Sequence, residues 1–92
     1  MRAYIESIGY ALPDRVVTNE DLRRENPDWD FAHLERRTGV MRRHIAGADE
    51  TALDLATRAC NQLREAGRLD AEQIGAVIFC TETPDYQIPP NA

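Results

Sequence analysis

The stretch that most limits what this chain can fold into is 51–83, where a helical pattern turns at a glycine and leads into the only continuous apolar run. Ala52, Leu55, Ala56, Ala59, Cys60, Leu63 and Ala66 recur at steps of three and four residues, which places them on one face of a helix. Thr51 with Asp54 three residues later is a cap for the first helical N–H groups, Asp54 stands four residues before Arg58, and Gly67 suits a left-handed stop. The apolar face needs a partner, and Ile74-Gly75-Ala76-Val77-Ile78-Phe79-Cys80-Thr81 follows, short and rich in β-branched residues. Such a run reads as a strand covered on both faces of a sheet. A one-faced helix feeding a two-faced strand predicts a layered α/β protein.

Upstream, residues 3–12 alternate Ile5, Ser7, Gly9 and Ala11 against Tyr4, Glu6, Ile8, Tyr10 and Leu12, which predicts another strand ended by Pro13-Asp14. Gly9 inside it implies a bulge or a close approach of backbone to backbone. Thr18 with Asp21 starts a short helix that stops before Pro27, and Asp28 or Asp30 caps a second one carrying Phe31 and Leu34 on one face and ending at Gly39. Asp70 caps a last small turn before the apolar run. The proline-rich residues 82–92 read as a loop.

A chain of 92 residues buries only about 60% of the surface its unfolded form exposes, so its stability is thin. Two strands and one long helix leave the apolar run short of neighbours, because three or more strands with an apolar face are usually needed. Further polypeptide, covalent or associated, is expected to complete the sheet. The net charge of -5 argues against a general nucleic-acid binder, since phosphate binding needs a positive surface. No apolar segment approaches the span of a bilayer, and the first residues lack the apolar stretch of a secretory signal, which together predict a cytoplasmic protein off the membrane. Cys60 and Cys80 fall inside the predicted helix and strand, where small buried thiols are common, and they suggest no disulfide framework. Basic charge concentrates in 35–45, where Arg36, Arg37, Arg42 and Arg43 face a single carboxylate, Glu35.

The order of motifs is specific. Ile8-Gly9 with Tyr10-Ala11-Leu12-Pro13, then Thr18-Asn19 with Asp21-Leu22, then Arg37-Thr38-Gly39-Val40 with Arg43-His44-Ile45, then Ile74-Gly75 opening the apolar run, resembles the N-terminal region of β-ketoacyl-acyl-carrier-protein synthase III and its relatives. The resemblance covers essentially the whole of 1–92 and amounts to the opening portion of a family member. It implies a thiolase-like layered αβαβα fold, here only the first part of its N-terminal half, assembled as a homodimer. It implies an acyltransferase in which a cysteine takes an acyl group from a thioester and condenses it with, or passes it to, an acceptor. That cysteine would open a helix, where the dipole lowers the thiol pKa and backbone N–H groups stabilise an oxyanion. The catalytic cysteine, histidine and asparagine all lie outside these residues, so no catalytic residue is assigned here. Cys80 falls at the end of a strand ahead of the nucleophile's position, and both cysteines are expected to be packing residues.

The same resemblance places Arg37, with Thr38 beside it, at the mouth of the pantetheine tunnel, against the nucleotide end of coenzyme A. A planar cation with several donors suits phosphates or an adenine ring. The competing reading pairs Arg37 with Glu35 or an aspartate, and Arg36, Arg42 and Arg43 are expected to be exposed charges worth little each. Relatives that take free coenzyme A thioesters often carry a tryptophan four residues before that arginine. This chain has His33 there, with Trp29 one helical turn earlier, and either ring is a candidate to meet the substrate while Trp29 is equally suited to anchoring the helix start. The donor is therefore an acyl-coenzyme A or an acyl-carrier-protein thioester, a substrate rather than a resident cofactor. His44 matches a structural position, and no metal-ligand spacing joins it to His33 or the cysteines. Ile88 stands where the family commonly has an aromatic, in a loop that borders the partner subunit's acyl pocket, which implies a different acyl preference.

One other class fits the residues, a non-catalytic interaction module that pairs its half-sheet with a partner chain. A nucleotide-phosphate binder fits less well, because no glycine-rich loop follows a strand.

Overall fold

The computed structural model describes residues 1–85, which form two compact units, Pro13–Ala48 and Met1–Leu12 together with the chain from Asp49 onward. The first contains β1 (Arg15–Thr18), α1 (Asn19–Glu25), α2 (Phe31–Thr38) and β2 (Arg42–Ile45). β1 and β2 pair antiparallel with Arg15 opposite Ile45 and Thr18 opposite Arg42. Val16, Val17 and Thr18 are β-branched and favour extended backbone. Thr18 then ends the strand and caps α1: its hydroxyl accepts from Asp21 N at 3.2 Å while Asp21 Oδ2 accepts from Thr18 N at 2.9 Å. Asp30, the second of the two expected caps, opens α2 by accepting from His33 N at 2.9 Å. Gly39 closes α2 with φ of 69°, as expected of a left-handed stop. The core of this unit is small, consisting of Val17 at 6% exposure and Phe31 at 3%.

The second unit is organised by α3 (Ala52–Glu65), whose predicted cap is present as a full box between Thr51 and Asp54. Its C-terminus is a Schellman motif: Gly67 has φ of 67°, its N–H donates to Arg64 O at 3.0 Å, and Arg68 N donates to Leu63 O at 2.8 Å. Asp70 caps a single 3-10 turn, Ala71–Gln73. The predicted close approach at Gly9 is real, and it is made to the helix: a Cβ there would lie 3.0 Å from the Ala59 carbonyl oxygen and 2.8 Å from Leu63 Cγ. Ser7 Oγ donates to Arg68 O at 3.2 Å, and Arg58 reaches Leu12 O at 2.7 Å and Glu50 at 2.9 Å. The adjoining side of α3, through Ala56 and Cys60, borders a hollow shared with Val77 and Phe79. One helix face therefore meets both flanking segments.

Two expectations fail here. Neither 3–12 nor 74–81 is a strand among the described residues, and Ile78 is 94% exposed. A strand exists only with a ladder partner for its N–H and C=O groups, and the described residues pair only β1 with β2. The packing expectation for Cys60 and Cys80 fails with it, since both thiols are exposed. Cys60 looks onto an open hollow, and Cys80 ends a segment that forms no strand among the described residues.

Gly9→Ala is expected to destabilise the protein by about 1–3 kcal/mol, because the added carbon meets helix backbone that cannot move aside, and a denaturant melt reads it. Hydrogen bonds from Thr18 hold the Asp21 carboxyl below the usual carboxylate range, and hydrogen bonds from Thr51 do the same for Asp54. A carboxylate with a depressed folded pKa contributes stability above its unfolded pKa and loses it as the pH falls through the folded value. Thr51→Ala is thus expected to lower the melting temperature at neutral pH, with a difference from wild type that shrinks on acidification below the ordinary carboxylate pKa.

Candidate functional site

Helix α2 carries three of the four predicted substrate-contact residues, on two sides, and Trp29 lies just ahead of it. His33 and Arg37 are four residues apart and share one exposed side. Phe31, Leu34 and Thr38 face the other way and line an apolar cleft with Leu22, Val40 and Trp29. Trp29 stacks on Phe31 at 5.9 Å between ring centroids with planes 29° apart, while remaining 57% exposed. The Arg23 guanidinium lies 5.6 Å from the Phe31 centroid on the same ring. The Thr38 hydroxyl donates to Leu34 O at 2.8 Å and accepts from Val40 N at 3.2 Å, so it stabilises the end of the helix. Trp29 and Thr38 therefore meet at the cleft, while His33 and Arg37 are not brought to it. Ile88 lies outside the described residues.

Among the described residues no ion pair holds Arg36 or Arg37. Glu35, one of the partners that the competing reading offered Arg37, is two residues away on the helix and points elsewhere, as that spacing requires. It accepts from Asn19 Nδ2 at 2.9 Å and lies 3.9 Å from Arg23. Arg43 departs from the exposed charge expected of it: it is half-buried, donates to the Asn19 amide oxygen, and reaches Val17 O at 3.4 Å. His44 Nδ1 donates to Pro13 O at 2.6 Å, a structural bond across the start of the unit.

The residue that periodicity and spacing missed is Asn19. It is 5% exposed, the one buried polar side chain among the described residues. Its Nδ2 donates to Glu35 Oε1 and to Val40 O at 2.8 Å, its oxygen accepts from Arg43, and its backbone N–H donates to Met41 O at 3.0 Å. All the partners lie 16 or more residues away in sequence, so no local pattern could announce them. Only its place in the Thr18-Asn19 motif marked it.

With capped helices flanking extended segments, the chain is an α/β segment whose fold is that of the thiolase-like class. More narrowly, it is homologous along its length to β-ketoacyl-[acyl-carrier-protein] synthase III, as its motifs led one to expect. It is 43% identical over 91 residues to the protein of that name from Methylococcus capsulatus, covering 96% of this chain and 27% of that protein. The Erythrobacter litoralis protein is 40% identical over 92 residues, with 100% of this chain and 28% of that protein covered. A 2.1 Å crystal structure of 3-oxoacyl-(acyl-carrier-protein) synthase III superposes with a TM-score of 0.79 at 41% identity, over 92% of this chain and 25% of that one. The chain thus spans little more than a quarter of the length of the relatives it matches. No protein-family model matches it. No helix among the described residues is long and apolar enough to cross a membrane.

The two stacked aromatics are expected to separate on substitution. Phe31→Ala, which opens a cavity in a core of two residues, should destabilise by about 3–5 kcal/mol, and Trp29→Ala, at an exposed ring, by about 1 kcal/mol, both read from denaturant midpoints.

Proposed function

We propose that the complete protein containing this chain is a β-ketoacyl-acyl-carrier-protein synthase III-like acyltransferase. A cysteine outside these residues takes the acyl group from a thioester, releasing the free thiol, and the acyl-enzyme is then condensed with an acceptor or passes its acyl group to one. The observation that carries this reading is the likeness along the whole chain to proteins of that name, in sequence and in backbone. Within this reading the protein works as a homodimer in the cytoplasm, and the donor is an acyl-coenzyme A or an acyl-carrier-protein thioester.

Helix α2 is the part this chain contributes to substrate capture. Arg37 presents a guanidinium that no ion pair holds among the described residues, on the same exposed side as His33. That pair suits the phosphates and adenine at the nucleotide end of coenzyme A, the cation by charge and planar donors, the imidazole by stacking. Trp29 and Thr38 at the cleft support the helix from its other side and lie near enough in sequence to border the same ligand.

Incubating the complete protein with acyl-coenzyme A or acyl-carrier protein is expected to add the mass of one acyl group to one cysteine, and no mass gain on any cysteine would overturn the reading. Arg37→Ala is expected to raise KM for acyl-coenzyme A about fivefold with kcat little changed, the size of one partly exposed charge contact.

A further inference from the structure

We infer that Asn19 is a positioning residue for Arg37, acting through the last turn of α2; this rests on the reading that Arg37 meets the nucleotide end of a coenzyme A thioester. Arg37 has no side-chain partner among the described residues, so only the backbone that carries it limits the region its guanidinium can reach. One amide holds the chain on both sides of Arg37. On the N-terminal side Asn19 Nδ2 donates to the Glu35 side-chain carboxylate at 2.9 Å, and on the C-terminal side the same nitrogen donates to the backbone oxygen of Val40 at 2.8 Å. The backbone N–H of Asn19 adds Met41 O at 3.0 Å, and Arg43 fixes the amide the right way round by donating to its oxygen. The turn 36–39 lies between these anchors and ends at the left-handed Gly39.

The energetics make the grip stiff. A buried amide left without partners is costly, so Asn19 at 5% exposure cannot release Glu35 or Val40 singly without leaving polar groups unsatisfied. The exposed last turn, closed on itself by Thr38 and Gly39, is tied in addition to the first residue of α1, which limits its fraying further. An exposed arginine on a frayed turn samples many positions, and ordering it on binding would weaken affinity for the ligand end it meets. Substrates that lack that end should be indifferent to Asn19.

The test uses the complete protein with two donors: the acyl-coenzyme A it turns over, and the N-acetylcysteamine thioester of the same acyl group, which has no nucleotide. Asn19→Ala is expected to raise KM for the coenzyme A thioester about fivefold, with kcat and the KM for the short thioester within about twofold of wild type. Combined with Arg37→Ala it should add nothing further, because both changes remove the same contact. Glu35→Ala guards against a fold too weak without Asn19, and its sign is diagnostic. Deleting a negative charge near an anionic ligand would by electrostatics alone lower KM, whereas loss of the anchor raises it. A lowered KM in Glu35→Ala, equal losses on both donors in Asn19→Ala, or additive effects of Asn19→Ala and Arg37→Ala would each overturn the inference. If Arg37→Ala leaves KM unchanged, or no acyl-coenzyme A is turned over, the reading of Arg37 itself falls and the inference falls with it.

Discussion

A single buried carboxamide holds together the unit that carries the candidate site. With Val17 and Phe31 its only buried hydrophobic side chains besides Pro13, Pro13–Ala48 has too little apolar burial to fix where its helices end. Asn19 supplies what the core does not. It joins the start of α1 to the last turn of α2 and to β2 by four hydrogen bonds, and burial strengthens each by keeping water from competing. The antiparallel register of β1 with β2 places Arg43 across from Val17, within reach of the Asn19 oxygen.

Local chemistry was legible in the sequence. The predicted caps at Thr18, Thr51 and Asp70, and Asp30 of the pair offered with Asp28, do what their spacing implied, because capping is settled within three or four residues. The same holds for the stops at Gly39 and Gly67, where only glycine adopts the left-handed backbone without a Cβ penalty. The strands were legible in the wrong places. Residues 3–12 and 74–81 carry the pattern of strands, yet a pattern without a ladder partner is not a strand. β1 and β2 have partners but hardly a pattern, since Arg42-Arg43-His44-Ile45 carries more charge than apolar surface.

The site divides along the same line. That α2 would present Arg37 was readable, since three- and four-residue spacing fixes which side chains share a helix side. The apparent rivalry between Glu35 and the substrate for Arg37 was a reading of sequence distance where helix geometry forbids the pair. What holds α2 in place came from residues distant in sequence, and such contacts leave no periodic trace.

The run at 74–80, only partly covered among the described residues, has a consequence for handling the chain. Its seven residues include no charge and no proline, they favour extended backbone, and Val77 and Ile78 stand open to solvent. That is the composition of segments that stack side by side into cross-β assemblies when their edges stay bare. A charge placed in the run, or a neighbour kept over it, removes that hazard.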